Sequence, residues 1–212
     1  MVNFPNAESC KRCDSALLTS DLIQDSTSQE QTTPRTLGKR IVWIAGMTMT
    51  IILIWYFSLR ITSNGPDFDQ RQSIAKAIAV LDSKGFSREA FILNNLVCFR
   101  TTDNWWNINS GHHEAYAATN FPFEIVTLYP EFFEVPKDDT ERAAILLHEA
   151  QHLMGSGEVA ALETTWNEKQ KLGWTSALYS ETKVWENTRE LTLANIPTLF
   201  TCGPDQHVDC VQ

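Results

Sequence analysis

Basic residues are scarce. The chain holds 17 Lys and Arg against 26 Asp and Glu, for a formal charge of −9 over 212 residues. No sizeable Lys/Arg cluster occurs beyond the flanks of one apolar run. A protein built to grip nucleic acid carries a basic face, so that class of partner is excluded. Cysteine is sparse as well, at five residues. Cys10 and Cys13 form a C-x-x-C with no second pair to complete a zinc ribbon. The pair reads as inert, with palmitoylation as the alternative. No internal repeat is present. What remains is an ordinary composition, 43% hydrophobic and 20% charged, which suits one medium domain with accessories.

One segment departs from that composition. Ile41 to Leu59 (IVWIAGMTMTIILIWYFSL) contains no charged residue, and its roughly 19 positions match the length a helix needs to cross hydrocarbon. Trp43, Trp55 and Tyr56 lie toward its ends, where amphipathic rings favour the interface. A buried core helix of this length would show a polar face, and Thr48 and Thr50 can return their hydroxyls to the backbone. A transmembrane helix over 41–60 is expected, contacting the lipid bilayer. About 40 polar residues precede it, which does not suit a cleaved signal peptide. Residues 1–40, rich in Ser, Thr, Gln and Asp, read as a disordered tail. Arg35, Lys39 and Arg40 crowd the first flank and Arg60 stands alone at the second, although Arg71 and Lys76 reduce the contrast. The bias puts the tail in the cytoplasm and the larger C-terminal part outside. Cys202 and Cys210 bracket a short Gly-Pro-Asp segment and can close a disulfide in an oxidising compartment. Cys98, in an apolar run, reads as a buried thiol.

Residues 61–67 (ITSNGPD) carry turn chemistry and read as a linker, leaving 68–212 as the folded domain. Ile74, Ala77, Ile78 and Leu81 recur at helical spacing before Gly85. Phe91 to Phe99 is ambiguous between helix and strand, and Trp105 to Ala118 is mixed. Phe123 to Tyr129 alternates and predicts a strand ended by Pro130. Asp138 or Asp139 can cap a helix running through His148 to Met154, which Gly155 ends. Further helices are expected from Glu158 to Leu172 and from Ser176 to Leu193. The fold class is therefore α+β, mainly helical. Trp166, Trp174 and Trp185 read as core or rim aromatics.

The run Leu147-His148-Glu149-Ala150-Gln151-His152 contains H-E-x-x-H. Residues four apart share a helix face, so the imidazoles of His148 and His152 can reach one Zn²⁺. Glu149 is offset from that face and suits a general base that takes a proton from a water polarised by the ion. A third ligand is needed, and Glu158 follows a Gly155-Ser156-Gly157 turn that lets the chain come back. Glu163 is the rival. Five residues turn a helix by about 140°, so the two glutamates face different ways and only one can serve.

The full run, H-E-x-x-H-x-x-G-x-x-E, resembles the zincin metallopeptidases. It follows metzincin spacing with Glu158 in place of the third histidine or aspartate. It is also similar to small gluzincins, whose third ligand lies in an E-x-x-A segment, here Glu158-Val159-Ala160-Ala161. Two features depart from those patterns. No methionine follows Met154 to form a metzincin methionine turn, and gluzincins usually place their glutamate farther downstream. The resemblance implies a zincin-like catalytic domain with a short sheet packed on the H-E-x-x-H helix. It also implies a Zn²⁺ cofactor, a peptide or protein substrate, and Glu149 as the catalytic base. It makes the Phe123–Tyr129 strand a candidate sheet edge for holding extended peptide. His112, His113, Tyr179 and His207 are candidate oxyanion donors. Two other functions fit the same residues. A deformylase-like hydrolase would take Cys98 as third ligand, and a membrane-tethered sensor would keep the fold for binding alone.

Overall fold

A computed structural model describes residues 34–110, 116–202 and 209–211. Cys10, Cys13, His112, His113, His207 and most of the polar tail lie outside the described residues. The chain divides into two compact units, Met1–Ile51 and Ile52–Gln212. In the first, the described residues belong to helix α1, Pro34–Ile61, which runs on into the second. It begins ahead of the apolar run, at a proline whose missing N–H costs nothing in a first turn. Leu37–Ile61 is long and apolar enough to cross a membrane. Thr50 donates its hydroxyl to the Gly46 carbonyl at 2.9 Å, so its polarity is returned to the backbone.

The second unit takes in the last turns of α1. Leu59 is buried there, as is Ser63. The segment expected to be a free linker is tied down: Arg100 Nε donates to Ser63 Oγ at 2.9 Å, and the Thr101 N–H donates to the Asn64 carbonyl at 2.8 Å. Asp67 and Gln70 then form a reciprocal capping box that starts α2, Phe68–Ser83. The predicted stripe Ile74, Ala77, Ile78 and Leu81 is its buried face.

The ambiguous stretch Phe91–Phe99 is divided between α3, Ser87–Asn95, and β1, Cys98–Arg100. The mixed stretch holds α4, Trp105–Ser110, and the start of β2, Ala117–Asn120. Strand β3, Ile125–Leu128, is shorter than expected because Phe123 and Glu124 lie in the turn from β2, where Glu124 has φ +48°. The sheet order is β1-β3-β2, with β1 parallel and β2 antiparallel to β3. This corrects the expected role of the Phe123–Tyr129 strand. Strand β3 is central and fully buried, its ladder groups are taken on both sides, and the edge strand that meets the H-E-x-x-H helix is β2.

Short α5, Pro130–Glu134, leads to α6, Asp139–Leu153, which Asp138 caps by accepting from the Thr140 and Glu141 N–H groups. Ala143, Leu146, Leu147 and Ala150 of α6 are completely buried, each leucine contributing roughly 1.5–3 kcal/mol. The helix expected over Glu158–Leu172 is broken at Glu168 into α7, Glu158–Asn167, and α8, Lys169–Leu172. The one expected over Ser176–Leu193 is broken into α9, Ser176–Tyr179, and α10, Lys183–Asn195. Thr182 causes that second break. It caps α10 at the Trp185 N–H and also donates its hydroxyl to buried Glu141. A 3-10 turn, Pro197–Phe200, follows.

Trp166, Trp174 and Trp185 are buried and meet one another with ring centroids 4.9–6.2 Å apart. Lys169 beside them is only 1% exposed and pairs with Asp209 at 2.9 Å. Asp209 also accepts from Trp166 Nε1, and it adjoins the disulfide between Cys202 and Cys210. Cys98 is a free thiol, half-buried rather than buried.

Candidate metal centre

Helix α6 presents different faces to different tasks. Its apolar face is held in the core, and His148 and His152 emerge half-buried from the adjacent stripe. The helix ends in a Schellman turn. Gly155, at φ +88°, donates to the His152 carbonyl at 2.9 Å, and the Ser156 N–H donates to the Gln151 carbonyl at 3.0 Å. This turn also orients a side chain. The Ser156 carbonyl can only accept, so the His152 Nδ1 within 3.0 Å is the donor and Nε2 is turned the other way. Gly157 has φ −76° and ψ 170°, ordinary extended backbone, so the return of the chain uses the freedom of Gly155 and not that of Gly157.

Glu158 is the first residue of α7, which packs on α6 and buries its own Ala161 and Leu162. Its carboxylate reaches both imidazoles. Glu158 Oε1 is 3.4 Å from His148 Nε2, Oε2 is 3.2 Å from His152 Nε2, and the two Nε2 atoms are 3.1 Å apart. Glu163 is exposed and takes no part in this group. For ligands about 2.0–2.1 Å from a tetrahedral ion, ligand-to-ligand edges are about 3.3 Å. The three separations bracket that value, so the donor set fits a zinc-sized cation.

As protein groups alone, the three perturb one another. The Glu158 carboxylate holds the His152 imidazolium up to about 9, against the opposing effect of burial and with help from the Ser156 carbonyl. The His148 and His152 rings hold Glu158 well below the usual carboxylate range. This is the electrostatics of a site that favours positive charge at its centre.

Glu149 is 5% exposed and is not one of the three clustered groups. Its Oε2 accepts from Thr119 Oγ1 at 2.6 Å. Thr119 lies on β2, so the base candidate is held against the edge strand. Nothing in Ala-Ala-Thr-Asn announces that contact, because the strand is four residues long and lacks apolar alternation.

The other candidates fall elsewhere. Tyr179 is buried and donates its hydroxyl to Asp138 at 2.8 Å, which occupies it at the N-cap of α6. Cys98 lies on β1 and does not join the cluster, which removes the ligand set a deformylase-like site would need. An open groove of about 440 Å³ on another side of α6, lined by Phe86, Arg88, Leu147, Gln151 and Lys171 among others, contains none of the four site residues. Comparison with protein-family models, curated proteins and solved structures finds no match to this chain.

Proposed function

We propose that the chain is a membrane-anchored, zinc-dependent peptidase with His148, His152 and Glu158 as metal ligands and Glu149 as general base. One observation carries the reading: two imidazole nitrogens and a carboxylate converge within 3.1–3.4 Å, beside a buried glutamate that stands outside the trio. These three residues would hold a Zn²⁺, which would supply Lewis acidity toward a carbonyl and a water. Glu149 accepts the proton of the attacking water and returns one to the leaving amine, while Thr119 fixes the carboxylate that does so. Ser156 holds the His152 ring in the tautomer a ligand requires.

The full chain in detergent is expected to carry zinc and to cleave casein or a peptide library in a chelator-sensitive way. Glu158→Ala should lose most of both properties, and Glu163→Ala should keep them. The opposite ranking in metal analysis would move the third ligand to Glu163 and refute this geometry.

The anchor is α1, and the domain is placed outside the cytoplasm. The Arg35, Lys39 and Arg40 flank and the Cys202–Cys210 disulfide support that orientation. Protease added to intact cells or spheroplasts should digest the domain. Protection until the membrane is permeabilised would invert the orientation.

A further inference from the structure

The second unit carries an apolar surface for which the candidate site has no use. Trp55 of α1 is packed by Trp105 and Trp106 of α4 and by Phe123, with ring centroids 5.9, 5.3 and 6.3 Å away. Trp105 Nε1 also donates to Ser58 Oγ at 3.1 Å, which fixes α4 against the helix. The outer side of this cluster is open: Trp106 is 46% exposed, Ile108 67% and Phe121 60%.

The two segments that carry these side chains, bordered by Asp103 and Glu124, hold no charge of their own. Asn104 to Ser110 and Tyr116 to Phe123 contain no Asp, Glu, Lys or Arg. Three of the asparagines among them are buried and bond inward, while Asn109 is exposed and donates to the Trp105 carbonyl. Asn104 donates to Asn120 at 2.9 Å, Asn120 to Asn107 at 2.8 Å, and Asn107 to Thr127 at 3.0 Å. Soluble surfaces rarely leave several large apolar side chains together without an occupant.

The position along α1 says what the occupant is. From Ile41, the first residue past Lys39 and Arg40, to Leu59 the uncharged run extends roughly 28 Å at the usual helical rise, close to the roughly 30 Å of hydrocarbon it would cross. Trp55 lies about one helical turn short of the far end of that run, close to the bilayer boundary where tryptophan is favoured.

We propose that Trp105, Trp106, Ile108 and Phe121 form a lipid-binding surface that seats the second unit on the interface of the bilayer its own helix enters. The inference rests on reading α1 as a membrane span and not on the hydrolytic chemistry, so zinc and activity play no part in its test. The full chain is reconstituted in nanodiscs of phosphatidylcholine and phosphatidylglycerol. The photoreactive residue benzoylphenylalanine replaces Ile108, Phe121 or, as control, Leu178, which is 60% exposed on α9. All three positions face solvent or lipid, so the fold tolerates the change.

After irradiation, mass analysis should find several-fold more phospholipid adduct at 108 and 121 than at 178. Equal adduct at the three positions overturns the seat, and so do adducts in cell membranes made only to a second protein. Alkaline carbonate extraction separates the two levels of the argument. A chain released by carbonate overturns the anchor and the seat together, whereas a retained chain lacking lipid adducts overturns the seat alone.

Discussion

Glu149→Gln is expected to lower kcat by about 10²–10⁴-fold while leaving zinc content unchanged. The carboxylate is outside the group of three clustered side chains, so the isosteric amide leaves those three in place. The fold should survive as well, because the glutamine carbonyl can still accept the Thr119 hydroxyl that Glu149 Oε2 accepts now. What the amide cannot do is take a proton. The measurement is single-turnover cleavage of whichever library peptide the wild type prefers, with metal content determined on the same sample. Activity that persists in the variant would rule out Glu149 as the base even with zinc bound, and would require another nucleophile.

The second large effect is on metal. His148→Ala or His152→Ala should take zinc from about one equivalent per chain to near none, since either change leaves only two of the three donors. Stability should report it independently. Free ion at a thousand times its dissociation constant stabilises the folded chain by about 4 kcal/mol, and that increment should vanish in both variants. The imidazoles are only half-buried, so neither truncation opens a core cavity, and the ion-free fold should stay intact by circular dichroism. Unchanged zinc in both variants would dispose of the proposed centre.

These predictions draw on parts of the molecule that differed in how far they could be read. Helices α2 and α6 were legible because their apolar spacing, caps and terminal glycines all act within one or two turns. The pairing of His148 with His152 follows from the same periodicity, as does the separation of Glu158 from Glu163. The turn between them was legible only in part, since a glycine permits a positive φ without requiring one: Gly155 uses that freedom and Gly157 does not.

The sheet was less accessible. Strands of three or four residues carry little pattern, and β3 is central because β1, some 25 residues upstream, pairs along its other side. Thr119 was invisible for a related reason. Its partner Glu149 is 30 residues away, and only the register of β2 on β3 brings them together. The break at Thr182 likewise depends on a distant partner, the buried Glu141.

The C-terminal loop has a bearing on the order in which the protein is assembled. The charge of Lys169, sunk against the tryptophan core, is matched by Asp209, a residue far from it along the chain. Until that aspartate arrives, the core holds an uncompensated ammonium, a state that costs several kcal/mol. The Cys202–Cys210 bond closes a short loop around the aspartate and restricts its search, an effect of about 2–3 kcal/mol in a chain-entropy account. Packing of the core is thereby linked to one chemical event, the meeting of two thiols with an oxidant. A copy kept in a reducing environment would hold Asp209 less firmly, and its tryptophan core would be more loosely closed.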